Sequence, residues 1–166
     1  MKARHFAILA VTGLVLGGCA GSVSAPTAVQ PLAVDSSAPL RISDISADAA
    51  PDVQVGDDEL GLITQKVKAY VQAEAPTVMA DHGYLMKIHV TRFDRGNAFA
   101  RAMLIGLGQI HIEATVDLND AGGKMVAEYK VSKDFALGGI AGASTTVSDV
   151  EDGFAKSVAE IVKGKG

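Results

Sequence analysis

Between residues 85 and 93 the even positions Met86, Ile88 and Val90 are apolar and the odd ones Lys87, His89 and Thr91 are polar, the period of a strand with one face buried. Residues 110–118 repeat the pattern, with Ile110, Ile112, Ala114, Val116 and Leu118 inward and His111, Glu113, Thr115 and Asp117 outward. After the turn signal Asn119-Asp120-Ala121-Gly122-Gly123, residues 125–131 form a third strand. Setting Val116 opposite Ala127 places Ala114 against Tyr129 and Ile112 against Val131, with Glu113 against Lys130 on the other face. Apolar then meets apolar and acid meets base, so the register is self-consistent. Upstream, Leu40-Arg41-Ile42 opens the folded part and Val53-Gln54-Val55 reads as a second edge piece.

Two stretches carry the helical period instead. Leu60, Ile63, Val67, Tyr70 and Val71 share one face, opposite Gln65, Lys66 and Lys68. Asp57 or Asp58 caps that helix, because a carboxylate accepts free amide hydrogens and suits the positive helix end, and Pro76 ends or kinks it. Near the C-terminus, Ser148-Asp149-Val150-Glu151 has the form of a capping box, ahead of a stripe of Val150, Phe154, Val158, Ile161 and Val162. A sheet with one wet face needs cover on the other, and these helices supply it. The expected fold is α+β: a small, mainly antiparallel sheet of three to four strands with two amphipathic helices packed on one face, over residues 40–166.

The first 39 residues obey neither period. Lys2 and Arg4 precede an apolar run, residues 6–16, that ends in Leu16-Gly17-Gly18-Cys19. A spanning helix needs roughly 18 or more apolar residues, so this run reads as a cleaved signal, residues 1–18. It resembles a lipoprotein signal cut between Gly18 and Cys19, with diacylglycerol carried on Cys19 and the membrane contacted through that lipid. Ala20 is not the aspartate that commonly retains such proteins in the inner membrane. In a Gram-negative host the expected place is the outer membrane, facing the periplasm. Residues 19–39, rich in Ala, Ser, Pro, Thr and Val, read as a flexible tether whose fully stretched reach is about 60 Å.

Composition narrows the chemistry. Cys19 is the single cysteine of the 166 residues, so no disulfide can form within one chain and the core must hold the fold. Taking Lys2 and Arg4 from 15 basic residues leaves 13 against 19 acidic ones, which excludes nucleic acid as a partner and a polybasic grip on anionic lipid. No serine stands in a Gly-x-Ser-x-Gly elbow, so no catalytic residue is assigned, an enzyme is not expected, and no cofactor or resident metal is expected. His89, His111 and Glu113, polar positions of neighbouring strands, could share one face and offer zinc-ligand chemistry if the register allowed it; Arg101, with Arg92 and Arg95, could bind a carboxylate or phosphate. Two glycine-bearing connections, residues 95–108 and 138–143, lack the ending of a phosphate loop and read as bends or close packing. Residues 136–143, apolar and uncharged, could touch lipid or a partner chain.

Those same segments carry a resemblance. His82-Gly83-Tyr84-Leu85, the run from Arg95-Gly96-Asn97 to Arg101, Gly106-Leu107-Gly108, Val116-Asp117-Leu118, Gly123-Lys124 and Gly138-Gly139 resemble the bacterial lipoproteins of domain of unknown function 4410, over residues 40–162. The resemblance implies an anchored envelope protein and brings no catalytic residue. The expected role is a noncatalytic module that binds an envelope protein or polymer; the alternative is a metal- or small-ligand-binding protein, or an enzyme, using the His89, His111 and Glu113 face.

Overall fold

The structure, a computed structural model, describes residues 24–33, 39–74, 82–103, 107–135 and 144–163. Gly18, Cys19, Pro76, Gly106 and the segment 136–143 lie outside them, as does the whole of the expected signal. Five strands form one sheet: β1 (Thr27–Gln30), β2 (Ile42–Ala49), β3 (Tyr84–Asp94), β4 (Ile110–Asn119) and β5 (Met125–Phe135), in the order β1-β5-β4-β3-β2. Helices α1 (Asp57–Glu74) and α3 (Val147–Glu160) pack together and cover one face, and a short α2 (Ala98–Met103) bridges β3 and β4.

The sheet is larger than expected and mixed. β2 runs parallel to β3, because α1 carries the chain back across the sheet between them, whereas β3–β4, β4–β5 and β1–β5 are antiparallel. Residues 53–55 form no strand; the chain there leads from β2 into α1. The fifth strand comes from within the expected tether. β1, Thr-Ala-Val-Gln between Pro26 and Pro31, is exposed at every residue and joins the sheet through its ladder with β5. A strand that buries no side chain leaves no hydrophobic period to read.

Face assignment in the central strands agrees with the alternation. Met86, Ile88, Val90, Ile112, Val116 and Leu118 are buried against Ile63, Val67 and Val71 of α1 and Val150, Phe154 and Val158 of α3. The β4–β5 pairing itself differs from expectation by two residues. Leu118 faces Ala127, Val116 faces Tyr129 and Ala114 faces Val131, so Glu113 meets Ser132 and Lys130 meets Thr115. A slip of two leaves every side chain on its face, so polarity could not choose between the registers. The turn chose: Asp120 Oδ1 accepts from the Gly122 and Lys124 amides, and the Asp120 amide donates to Lys124 O.

The cap of α3 also lies two residues upstream of the expected box. Thr146 is the N-cap; its hydroxyl accepts from the Asp149 amide at 3.2 Å while the Asp149 carboxylate accepts from the Thr146 amide at 2.8 Å. Glu151, freed from capping, is buried and pairs with Lys66 of α1 at 2.9 Å. Lys66 also reaches Ser148 O, so the helix pair is joined by a charged contact as well as by its apolar stripes.

Candidate functional site

Two places collect the polar residues singled out by sequence: the face of the sheet opposite α1 and α3, and the β3–β4 connection. β4 is the middle strand, so its outward residues, half-buried, form the centre of the face that no helix covers among the described residues. His111 lies there with Glu113 Oε1 2.8 Å from Nε2 and Asp134 Oδ1 3.0 Å from Nδ1. The two carboxylates flank opposite ring nitrogens and do not converge on a common point. His89 is elsewhere: it pairs with Thr115 across the ladder and holds Asp48 at 2.6 Å. Thr115 is four positions from His111, about 13 Å along a strand. Among the described residues no group of three potential ligands is arranged to hold a metal ion, so the face brings Glu113 to His111 and leaves His89 apart.

One group on this face was not foreseen. Asp117 Oδ1 is buried without a hydrogen-bond partner, although Asp117 stands between Lys87 on β3 and Glu128 on β5. A buried acceptor left unmade costs about 1–3 kcal/mol, and a neighbouring carboxylate adds repulsion. Only the cross-strand register, which places Glu128 beside it, makes this legible.

Arg101 does not belong to a binding face, which corrects the sequence expectation. It is 4% exposed and turned into the fold, where Nη1 donates to Gly108 O at 2.7 Å and Nη2 to Thr145 O at 3.2 Å. The glycines beside it serve the same closure. Gly96 and Gly108 have φ of 62° and 65°, a region L side chains rarely adopt, and a Cβ on either would collide with backbone of the other strand of the connection. Asn97 completes the knot: its amide donates to Gly108 O, its carbonyl accepts from the Arg101 amide, and its side chain caps α2 at the Ala100 amide. The space a phosphate would need is filled by the chain itself. Arg95 points outward instead, pairing with Glu59 through Nε at 3.0 Å, and that carboxylate holds the guanidinium above its ordinary range.

A buried cation lies on the helix side. Lys133 occupies an inward position of β5 where the alternation calls for an apolar residue, and burial pushes its ammonium below the ordinary lysine range. Gly153 makes the room, since a Cβ there would stand 2.7 Å from Lys133 Cε. The pairing of an off-pattern lysine with a mid-helix glycine was the available signal. At the far end, a shallow cavity of about 270 Å³ is bordered by Leu32, Tyr84, Met125 and Val126. Among the described residues no helix is long and apolar enough to cross a membrane.

The family described as domain of unknown function (DUF4410) matches residues 60–139, a span containing the Arg101 knot and strands β3 to β5. No curated protein matches the chain. Among solved structures, a variant of PelC from Paraburkholderia phytofirmans, described as a dodecamer, is 13% identical and similar over 81% of this chain and 96% of its own, with a TM-score of 0.54. A second PelC dodecamer from that organism is 12% identical over 78% of this chain and 90% of its own, with a TM-score of 0.51. A minor lipoprotein from Acinetobacter baumannii is 15% identical over 75% of this chain and 93% of its own, at a TM-score of 0.41. At these identities the PelC likeness establishes the fold.

Proposed function

Since residues 60–139 match the family of domain of unknown function DUF4410, we propose that it is a lipid-anchored envelope protein whose domain is a noncatalytic interaction module. The observation that carries the reading is the face of the five-stranded sheet opposite the helices, which no helix among the described residues covers and which carries the His111, Glu113 and Asp134 cluster at its centre. Covering that face with a partner would bury the paired histidines and carboxylates that lie on it. The metal-binding alternative has less support, because His89 and His111 are held by separate carboxylates.

The anchor is Cys19, and the expected location is the outer membrane facing the periplasm. β1 shortens the tether: Thr27 is the first residue held in the sheet, eight positions after Cys19. At about 3.3 Å per residue the stretched reach falls to about 26 Å. The domain then works close to the bilayer. A second copy of the chain is the first partner to seek, because the fold is shared with a PelC chain that is described as a dodecamer.

Photo-crosslinking in intact cells tests the reading. A crosslinker at Lys87, exposed on the uncovered face, should capture a discrete partner that the same group at Gln72, exposed on α1, does not. Equal labelling from both positions, or none from Lys87, would count against the module. Fractionation tests the anchor separately: Cys19→Ser protein should leave the membrane fraction.

A further inference from the structure

The direction in which β1 enters the sheet says which end of the domain faces its anchor. Thr27 pairs with Lys130 and Gln30 with Glu128, so the chain upstream of Thr27 heads toward Phe135. Phe135 pairs with Ile110, and Asp94 with His111, so that end of the sheet is the one spanned by α2. From Lys130 to Phe135 is five positions, about 16 Å of strand. The eight positions back to Cys19 reach about 26 Å, so a lipid on Cys19 would stand within about 10 Å beyond the α2 end when the segment is stretched.

That end presents apolar side chains to solvent. Phe99 is 75% exposed, Met103 66% and Leu107 53%, the three most exposed large apolar residues among those described. Phe99 and Met103 are four apart on α2 and share a face. α2 is inverted relative to an ordinary surface helix: its buried residue is Arg101, and its outer face is apolar. The Arg101 bond to Gly108 O holds the segment after Leu107 against α2. The opposite end carries the polar turn of Asp120, Gly122 and Lys124. Charge does not explain the α2 end, because Arg95 is paired with Glu59 and Asp94 and Asp134 stand nearby in the ladder.

We infer that Phe99, Met103 and Leu107 insert into the lipid surface to which Cys19 is anchored, setting the domain upright with α2 toward the bilayer and the uncovered sheet face turned to the side. This rests on lipidation of Cys19. Insertion here is apolar and needs no anionic headgroup, since no basic cluster attends it.

The chain has no tryptophan, so Phe99→Trp introduces a single indole as a depth probe. Full-length lipidated protein is reconstituted in phosphatidylcholine vesicles with plain or brominated acyl chains. The Phe99→Trp protein should lose most of its emission to bromine, equally at low and high salt, and its spectrum should shift to the blue; Lys124→Trp at the far end should do neither. Adding Met103→Asp to Phe99→Trp should abolish the quenching while the protein still sediments with vesicles. Mass spectrometry of the same sample separates the two readings. A chain without lipid removes the anchor and this orientation with it, whereas lipidated protein with an unquenched indole overturns the insertion alone. Emission already blue-shifted before vesicles are added and insensitive to bromine would mean that a second copy covers the tip, and would also overturn it.

Discussion

Replacing Arg101 by alanine separates a structural arginine from a binding one. Its side chain, 4% exposed, ties two connections together by donating to Gly108 O and Thr145 O. Hydrogen bonds from a charged donor contribute about 1.5–3 kcal/mol each. Gly108 O keeps the Asn97 amide as a second donor at 3.0 Å, which favours the lower part of that range. The expected loss for Arg101→Ala is therefore about 3 kcal/mol, which lowers the melting temperature of a domain this size by about 10 °C. Arg101→Lys should fall between, because one ammonium replaces a fork that serves two carbonyls from different segments. Arg95→Ala is the control, since Arg95 is exposed and its contact is a surface ion pair. Thermal melting of unlipidated protein followed by circular dichroism measures all three. An Arg101→Ala protein melting within about 2 °C of the parent, a change below 1 kcal/mol, would refute the knot and return Arg101 to the surface chemistry that the sequence first implied.

Lys66→Met leaves Glu151, nearly buried, without its cation and should cost about 2–4 kcal/mol in urea denaturation; adding Glu151→Met should recover much of it. Gly153→Ala should gain less than the helix-propensity difference of about 1 kcal/mol in the parent, because Lys133 Cε must move aside; in a Lys133→Ala background the same substitution should gain the full amount, and a double-mutant cycle that shows no coupling would contradict the fit. The Thr146 amide and hydroxyl hold the Asp149 carboxyl below its ordinary value of 3.8, so its contribution is complete above that pH and is lost as pH falls through the depressed value. Asp149→Asn should accordingly be less stable than the parent at neutral pH, with the gap closing below about pH 3.8 in acid-titrated melts.

The parts of the fold that were legible are those whose side chains alternate between water and core. β3, β4 and β5 and the stripes of α1 and α3 show their periods because burial imposes them. β1 was illegible for the converse reason, since it is held by backbone bonds that any residue can make. The α3 cap was misplaced because Ser148 and Thr146 are both good caps, and Lys66, distant in sequence, engages Ser148 instead. Of the candidate site, His111 and Glu113 lie together because they are two apart on one strand, His89 is separated from them by register, and Arg101 is turned inward by burial.

What the sequence determined alone was local: the identity of the central strands and helices, the face each residue takes, and the motif around Cys19 that resembles a lipidation signal. Tertiary structure decided what depends on which distant segments meet. It made Gly96, Asn97, Arg101 and Gly108 a closed knot rather than an anion cradle, and set Asp117 beside Glu128. It also aimed the entry of β1 at the end where Phe99 and Met103 are exposed. The physical reason is that hydrophobic periodicity records only whether a position is buried, while register, crossovers and partner choice follow from turns and long-range contacts that leave the same alternation unchanged.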